Sequence, residues 1–332
     1  MRTSGSARDT ATTAFSALVR SGVQRREVDR GGRFLRWLEA GTGEPAVVFE
    51  AGAASPSTTW AAVFAALAPR HRAIAYDRAG YGASDPAEPS VDLQLGDLVA
   101  ILESAGPTPC VLVGHSWGGL LAQLVTWERP ELVAGLVLVD PSHERLWLEP
   151  VDADALLGWA RFSDPALPAA EDPRSADVLS FGDELARDVA YSASDDPAIR
   201  SLLIEATQSY LATDQQVRMH IDEFPMILGY LHELADRRRS AVWPELPVVT
   251  LTATKGRPLE YVPPVIAAQE ELVAAVGATH IVVPDSGHYL HVDRPDLVIR
   301  SIQEVLVRAR SGSAHRHTVA ESPSDASRSV PT

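Results

Sequence analysis

Short apolar runs alternate with helical patterns along most of this chain, and this alternation is the feature that most constrains its fold. Seven segments are predicted to be strands: 34–39, 46–50, 73–76, 110–113, 136–139, 248–251 and 281–283. A short apolar run bounded by turn residues is typical of a strand that is buried on both faces. Because helical patterns separate these runs, the sequence predicts an α/β fold with a doubly wound, mostly parallel sheet.

The stretch 142–241 interrupts the alternation. It has no clear buried strand, but it has helical patterns rich in Trp, Phe and Tyr. We therefore predict a helical cap over 142–241, inserted into a core formed by 23–141 and 242–310. The segments 1–22 and 311–332 lack hydrophobic periodicity, so we expect a flexible N-terminal tail and a disordered C-terminal tail.

Composition excludes several classes of protein. The 332 residues carry a net charge of −15, which disfavours nucleic-acid binding because such proteins need a positive surface. The single cysteine cannot form an intrachain disulfide framework or a multi-cysteine zinc site. There is no run of about 18 apolar residues for a membrane span, and no signal-peptide core. We expect a cytoplasmic protein that acts on a small-molecule substrate, needs no cofactor or metal, and binds neither nucleic acid nor membrane. The sequence does not indicate its oligomeric state.

The most specific motif is Gly114-His115-Ser116-Trp117-Gly118, which follows the predicted strand 110–113 and precedes a helical stretch. A G-x-S-x-G sequence in this context predicts a nucleophile elbow, a turn so tight that the residues two before and two after the serine must be small. The serine hydroxyl then projects at the carboxyl end of the sheet. The helix N-terminus beneath it favours a developing oxyanion. Ser116 is the candidate nucleophile.

A serine hydroxyl needs a general base, since it is a poor nucleophile at neutral pH. Of the ten histidines, His288 follows the predicted strand 281–283 in a glycine-containing loop, which can bring it back to Ser116. His280 and His291 are the weaker alternatives. We predict that His288 is the base.

Together with the elbow, three ordered motifs make residues 25–308 resemble the α/β-hydrolase family. The stretch 48–53, which leads to Trp60, resembles the oxyanion loop, with Ala51-Gly52 in place of the usual His-Gly. The stretch 76–84 (YDRAGYGAS) resembles the D-x-x-G-x-G-x-S loop of the family. The stretch 285–288 (DSGH) resembles its catalytic-histidine loop. The resemblance implies that 142–241 is the cap domain. It also implies that the backbone amides of Ala53 and Trp117 form the oxyanion hole.

The third member of the triad departs from the commonest pattern of that family, in which the acid follows the strand at 248–251. Here the next residues contain Lys255 and Arg257 but no carboxylate before Glu260. Some branches of the family carry the acid one strand earlier, where Asp140 follows the strand 136–139. We therefore predict Asp140 as the residue that orients the histidine.

Two other carboxylates, Glu144 and Glu260, remain alternatives to Asp140 as the acid. Three residues near the cap or the nucleophile are candidates for lining a substrate pocket: His115, His143 and Trp147. The ambiguous aromatic residues of the cap either fill a core or line an apolar pocket, and the sequence does not distinguish these.

This set of residues predicts a serine hydrolase that cleaves a small, fairly apolar carboxylic ester or lactone through an acyl-enzyme. Dehalogenases and epoxide hydrolases of the family carry Asp at the nucleophile position, so Ser116 argues against both. The resemblance leaves open a thioesterase, an amidase, a carbon–carbon bond hydrolase, a perhydrolase or a non-catalytic small-molecule-binding protein, because a fold does not determine a reaction. The net charge of −15 makes a strongly anionic substrate less favourable.

Overall fold

An eight-stranded sheet passes through the centre of the molecule. The computed structural model describes residues 4–19, 22–149, 176–211 and 213–320. The strands are β1 (Gln24–Asp29), β2 (Phe34–Ala40), β3 (Val47–Glu50), β4 (Ala73–Tyr76), β5 (Cys110–His115), β6 (Val133–Val139), β7 (Val248–Ala253) and β8 (Thr279–Val283). Their order in the sheet is β1-β2-β4-β3-β5-β6-β7-β8. Only β1 and β2 run antiparallel to their neighbours, so the predicted mostly parallel α/β sheet is confirmed.

Helices cover both faces of this sheet. They are α1 (Ser4–Leu18), α2 (Ala61–Leu67), α3 (Val91–Ser104), α4 (Ser116–Glu128), α5 (Arg145–Leu148), α6 (Ala176–Ala193), α7 (Pro197–Gln208), α8 (Asp214–Ser240), α9 (Val262–Val276), α10 (Leu290–Asp293) and α11 (Pro295–Ala320). No helix in the described ranges is long and apolar enough to cross a membrane.

The central strands have apolar side chains on both faces because both faces are covered. In β5, Val111 and Val113 belong to the cluster that contains α2 and α11, whereas Leu112 belongs to the cluster beneath α3 and α4. All three are completely buried. Each such side chain contributes about 1.5–3 kcal/mol to folding through its burial. This two-sided burial is the physical reason that the strands are visible as continuous apolar runs in the sequence.

The parallel register brings the carboxyl ends of four strands to one edge of the sheet. Glu50 at the end of β3 pairs with Gly114 of β5, and His115 of β5 pairs with Val139 of β6. Val139 in turn pairs with Leu251 of β7. The loops that follow these strands therefore meet at this edge, which is where ligands bind in open α/β sheets.

Strand β1 was not predicted from the sequence. Its residues, Gln-Arg-Arg-Glu-Val-Asp, are mostly exposed and have no apolar alternation. It forms by antiparallel pairing with β2 at the edge of the sheet. An edge strand of this kind is held by backbone hydrogen bonds, and charged side chains protect it from pairing with other chains.

The structure differs from the predicted flexible N-terminal tail and disordered C-terminal tail where it describes them. Within 1–22, helix α1 buries Ala14 and Phe15 completely, and the Phe15 ring packs edge-on against Phe64 at 5.0 Å. A few apolar residues on one face are enough for a helix when another element covers them, which explains why periodicity alone missed it. At the other end α11 continues to Ala320, beyond the predicted limit at 310; residues 321–332 lie outside the described ranges.

The described residues of the predicted cap are mostly helical, in α5 to α8, while residues 150–175 lie outside the described ranges. Helix α8 is the longest, with 27 residues. Its start is fixed by a capping box between Thr213 and Gln216, in which each side chain bonds the backbone of the other. This helix carries Glu223 towards the core, where it contacts the loops described below.

Candidate active site

Ser116 is the first residue of α4 and directly follows β5. Its φ angle of 51° lies in the left-handed region, which non-glycine residues adopt mainly where the surrounding structure enforces it. A Cβ atom on Gly114 would lie 2.5 Å from the carbonyl oxygen of Gly118, and one on Gly118 would lie 2.3 Å from the carbonyl oxygen of Ala51. The G-x-S-x-G spacing thus has a steric cause: a side chain at Gly114 would clash within the turn, and one at Gly118 would clash with the loop after β3.

His288 lies between Ser116 and Asp140. Its Nε2 is 2.9 Å from the Ser116 Oγ, and its Nδ1 is 2.6 Å from the Asp140 Oδ2. A carboxylate only accepts hydrogen bonds, so Nδ1 carries the proton and Nε2 is left to accept from the serine hydroxyl. The three side chains come from three different loops at the carboxyl edge of the sheet.

The two alternative carboxylates are placed elsewhere. Both oxygens of Glu144 accept hydrogen bonds from Arg238 of α8, at 2.6 and 2.9 Å. Burial opposes the charge of this carboxylate, but Arg238 holds the pKa of Glu144 below its usual value. Glu260 is exposed. Of the three carboxylates, Asp140 is the one hydrogen-bonded to His288.

The two alternative histidines have other neighbours. The Nε2 of His280, in β8, is 2.8 Å from the Oγ1 of Thr252 in β7. His291 is completely buried and stacks on Trp60, with ring centroids 4.1 Å apart. The structure therefore brings His288, and neither of these, into hydrogen-bond contact with Ser116.

The two predicted oxyanion-hole residues lie in segments that border Ser116. The loop 51–53 directly follows β3, and a Cβ atom on Gly52 would lie 3.2 Å from the Ser116 Cβ. Trp117 is the second residue of α4, so its backbone amide has no carbonyl partner within the helix. These positions suit the predicted role of the Ala53 and Trp117 amides, which stays a prediction.

A buried arginine holds the loop 51–53 from behind. Arg78, only 3% exposed, donates hydrogen bonds to the carbonyl oxygens of Ala51 and Gly52, both at 2.6 Å, and to the Oε1 of Glu50 at 2.8 Å. Burial opposes its charge, but the carboxylates of Glu223 and Glu50 raise the pKa of Arg78 above its usual value. The loop 51–53 is thus held in place by the guanidinium of Arg78, which keeps its positive charge.

Glu223 connects this loop to helix α8 of the predicted cap. Its completely buried carboxylate accepts hydrogen bonds from the backbone amide of Ala54 at 2.6 Å, the Tyr81 hydroxyl at 2.8 Å and the Gln94 amide at 2.7 Å. Gln94 in turn accepts a hydrogen bond from the Trp117 indole at 2.7 Å. Glu50, Arg78, Glu223 and Gln94, here called the buried network, therefore join the loop after β3, the start of α4 and helix α8.

Neutral histidines pack beside His288. The ring centroid of His115 lies 4.7 Å from that of His288 and 4.5 Å from that of His291. Burial lowers the pKa of His115 well below its usual value and lowers the pKa of His291 to about 3. Both rings are neutral at neutral pH, so they do not oppose the formation of a cation on His288.

The three predicted pocket residues are at least partly buried. The Nε2 of His115 is 2.9 Å from the carbonyl oxygen of His288. His143 is almost completely buried, its Nδ1 accepts a hydrogen bond from the Arg145 amide at 3.3 Å, and burial lowers its pKa to about 4. Trp147 is partly buried against the cluster beneath α3 and α4. A part for these residues in substrate binding stays a prediction.

Sequence analysis missed three residues that contact this site. The Ser142 hydroxyl is 3.3 Å from the Ser116 Oγ, and Arg257 lies 2.6 Å from the Asp140 carboxylate. Ser142 follows the predicted acid by two residues, and Arg257 was noted as a cation in the loop after β7, so both gave a signal. Glu223 lies in a helix without a motif and could not have been found.

No group of three or more His, Cys, Asp or Glu side chains in the described ranges is arranged to hold a metal ion.

Segments of this chain are similar in sequence to known proteins. A segment is 32% identical over 125 residues to epoxide hydrolase 4 from Mus musculus, covering 36% of this chain and 35% of the mouse protein. Another match is 38% identical over 97 residues to lipase LipV from Mycobacterium tuberculosis, covering 29% of this chain and 37% of the lipase. The chain thus spans little more than a third of the length of these curated relatives.

The structure superimposes on the Cif epoxide hydrolase from Acinetobacter nosocomialis with a TM-score of 0.68, over 92% of this chain and 97% of that one. At 19% sequence identity this similarity shows the fold alone. A family model described as the alpha/beta hydrolase family matches residues 47–301, which is well over half of the sequence. By this match, and with a sheet of the corresponding fold, the chain belongs to the alpha/beta hydrolase family.

Proposed function

We propose that this protein is a serine hydrolase that cleaves a small, fairly apolar carboxylic ester or lactone through an acyl-enzyme. The observation that carries the proposal is the continuous hydrogen-bonded chain from the Ser116 Oγ through His288 to Asp140, with distances of 2.9 and 2.6 Å. A serine, a histidine and a carboxylate in this order provide a nucleophile, a base and a group that stabilises the protonated base.

In the acylation step, the Ser116 Oγ attacks the carbonyl carbon of the substrate while the His288 Nε2 takes the hydroxyl proton. Asp140 stabilises the resulting imidazolium, and the Ala53 and Trp117 amides donate to the oxyanion of the tetrahedral intermediate. The intermediate collapses when the bond to the leaving oxygen breaks and His288 gives its proton to that oxygen. Ser116 is then acylated and His288 is neutral again.

In the deacylation step, His288 takes a proton from a water molecule, whose oxygen attacks the acyl carbon. A second tetrahedral intermediate forms and breaks at the bond to the Ser116 Oγ, which recovers the proton from His288. The carboxylic acid leaves, and the enzyme returns to its starting state. One histidine therefore acts as base and acid in both halves of the cycle.

The chemistry of a serine nucleophile favours a carbonyl substrate over an epoxide. A carboxylate that opens an epoxide leaves an ester, which water can hydrolyse, whereas a serine would leave an ether that the same base cannot cleave. The similarity to lipase LipV supports a carboxylic ester, although it extends over only 29% of this chain. The net charge of −15 favours a neutral substrate over a strongly anionic one.

A fluorophosphonate probe tests the nucleophile directly. We expect it to label the wild-type protein and leave Ser116→Ala unlabelled, and we expect a series of p-nitrophenyl esters to give a burst of p-nitrophenol equal to the enzyme concentration. Lactones tested beside esters of increasing chain length would then define the substrate. Ester hydrolysis that survives in Ser116→Ala would contradict the proposal.

A further inference from the structure

The loop after β7 contributes a cation to the proposed triad. We propose that Arg257 is a positioning residue that holds Asp140 in place and, through its charge, sets the pH range in which His288 acts as a base. This inference rests on the proposed function, because it assigns Arg257 a role towards Asp140 and His288 as members of a working triad.

The first support is the geometry around the Asp140 carboxylate. Arg257 donates from its Nη2 to the Asp140 Oδ2 at 2.6 Å, and this is the same oxygen that accepts from the His288 Nδ1 at 2.6 Å. The Nε of Arg257 also donates to the carbonyl oxygen of Ala253 at 3.0 Å, while the Ala253 amide donates to the Asp140 Oδ1 at 2.9 Å. Arg257, Asp140 and the end of β7 therefore form a closed ring of hydrogen bonds.

The second support is the backbone of Asp140. Its φ angle of 42° lies in the left-handed region, which an L-residue keeps only when other contacts fix it. The Asp140 amide donates to the Leu251 carbonyl oxygen at 2.7 Å, and the ring with Arg257 and Ala253 fixes the side chain. Loss of the Arg257 contacts would leave the carboxylate with fewer constraints against rotating away from His288.

The third support is the distribution of charge around His288. Asp140 is 2% exposed and its charge is shared between His288 and Arg257, so the guanidinium reduces the negative potential that favours an imidazolium. Ser116 and His115, which contact the His288 ring, and His291, which packs on His115, carry no charge at neutral pH.

Two neighbours of the histidine loop complete the surroundings of His288. The Tyr289 ring lies 5.9 Å from that of His288, and burial raises its pKa, so it is neutral as well. The Asp293 carboxylate accepts a hydrogen bond from the Gly287 amide at 2.7 Å and from the Ser286 hydroxyl. Among the charged groups named here, Asp140 is hydrogen-bonded to His288 itself, and Arg257 is hydrogen-bonded to the same Asp140 oxygen.

The same loop supplies a matched control. Lys255 is two residues before Arg257 and is exposed, and its backbone amide donates to the Ser286 carbonyl oxygen at 3.0 Å. Replacing Lys255 removes the same charge from the same loop but leaves the Asp140 carboxylate and its hydrogen bonds unchanged. A general effect of surface charge would appear in both variants, whereas a specific role belongs to Arg257 alone.

The experiment measures kcat/KM for p-nitrophenyl acetate as a function of pH for the wild type, Arg257→Gln, Arg257→Lys and Lys255→Gln. For Arg257→Gln we expect a plateau about tenfold lower and an acidic midpoint shifted upwards by about half a pH unit, because the loss of the cation favours the imidazolium. Arg257→Lys keeps the midpoint of the wild type and recovers part of the plateau. Lys255→Gln has the profile of the wild type.

Two results would overturn the inference. One is a wild-type pH profile in Arg257→Gln. The other is a kcat/KM in Arg257→Gln that is lower at every pH with an unchanged midpoint, which would indicate that Arg257 supports the structure only. Unfolding temperatures identify a variant that fails to fold, and Arg257→Lys then supplies the comparison. Fluorophosphonate labelling and Ser116→Ala are run in parallel. If Ser116→Ala retains activity, the proposed function fails; if it is inactive but Arg257→Gln behaves like the wild type, only the role of Arg257 fails.

Discussion

The two sides of Ser116 are supported in opposite ways. On the side of the predicted oxyanion hole, here called the oxyanion side, the charged side chains of the buried network, Glu50, Arg78 and Glu223, are between 0 and 3% exposed. On the acid side, Asp140 is buried, but Arg257 is 28% exposed and His288 is 34% exposed. Charges removed from water must be fully paired, whereas charges that reach water are screened by it. We therefore expect the oxyanion side to tolerate fewer substitutions than the acid side.

This difference has consequences for substitutions. Removing one partner of a buried ion pair costs about 3–5 kcal/mol, because the remaining charge is left without compensation. An exposed ion pair contributes about 1 kcal/mol or less, and the Arg257–Asp140 pair lies between these cases because Arg257 is partly exposed and Asp140 is buried. We expect changes on the oxyanion side to reduce stability and activity together, and changes on the acid side to alter activity with a smaller loss of stability. The predictions below test this contrast.

The largest effect is expected for Asp140→Asn, which keeps the shape of the side chain but removes its charge. The kcat for a p-nitrophenyl ester should fall by about 10⁴-fold, because an amide cannot stabilise the imidazolium of His288 and favours the wrong tautomer. Glu260→Gln, an exposed carboxylate in the next loop, is the control and should retain wild-type kcat. The reverse pattern would assign the acid to Glu260.

The second effect is expected for Glu223→Gln, on the oxyanion side. The Ala54 amide and Arg78 lose a carboxylate, so the loop carrying Ala53 shifts. Loss of one oxyanion donor costs about 10²–10³ in kcat, and we expect a displaced donor to cost about 10–100-fold. Urea unfolding should show a loss of about 3 kcal/mol in the same variant. In contrast, the exposed Glu233→Gln on the same helix should change neither quantity.

If Glu223→Gln is destabilised but keeps the wild-type kcat, the buried network is structural only. The contrast between the two sides of Ser116 would then hold for stability and fail for activity.

The third effect concerns pH and the buried histidines. Folded His291 has a pKa of about 3 because it is buried, so below about pH 6.5 the unfolded chain binds a proton that the folded chain does not. The free energy of unfolding should therefore fall by about 1.4 kcal/mol per pH unit for this group as the pH decreases from 6.5 towards 3. His143, with a pKa of about 4, adds a similar slope down to that pH.

The variant His291→Phe keeps a ring on Trp60 and removes the titrating group, so urea unfolding at several pH values should give a shallower slope than in the wild type. His232→Gln, on the exposed face of α8, should leave the slope unchanged. Equal slopes in the wild type and His291→Phe would show that the buried histidine does not destabilise the folded protein at low pH.

The smallest effect is expected for Ser142→Ala. The Ser142 hydroxyl lies 3.3 Å from the Ser116 Oγ, farther than the His288 Nε2 at 2.9 Å. Its loss should change kcat less than about tenfold, since the net contribution of one neutral hydrogen bond is about 1 kcal/mol. A loss of more than a hundredfold would make Ser142 a member of the catalytic set.

Features of the fold and the site could be predicted from the sequence where their physical cause lies in neighbouring residues. The strands β3 to β7 were visible because two-sided burial demands continuous apolar runs, and the turn at Ser116 because its glycines are sterically required. Asp140 was predicted because it directly follows a strand at the place where some branches of the resembled family carry the acid, and the structure puts it 2.6 Å from His288.

Features that depend on distant partners left no local signal. Strand β1 is polar and forms only against β2, and helix α1 is fixed by the helices that cover Phe15. Glu223 contacts Ala54 across 169 positions of sequence. The residues that carry out the proposed chemistry are thus easier to predict than the residues that support them.

The central claim is that Ser116 carries the acyl group during turnover. The most direct test is to mix the enzyme with a p-nitrophenyl ester, quench the reaction with acid and determine by mass spectrometry which peptide is acylated. The account predicts one acyl group per chain, on the peptide that contains Ser116, and none in Ser116→Ala. An enzyme that turns over the ester while Ser116 stays unmodified, with the acyl group on another residue, would contradict it.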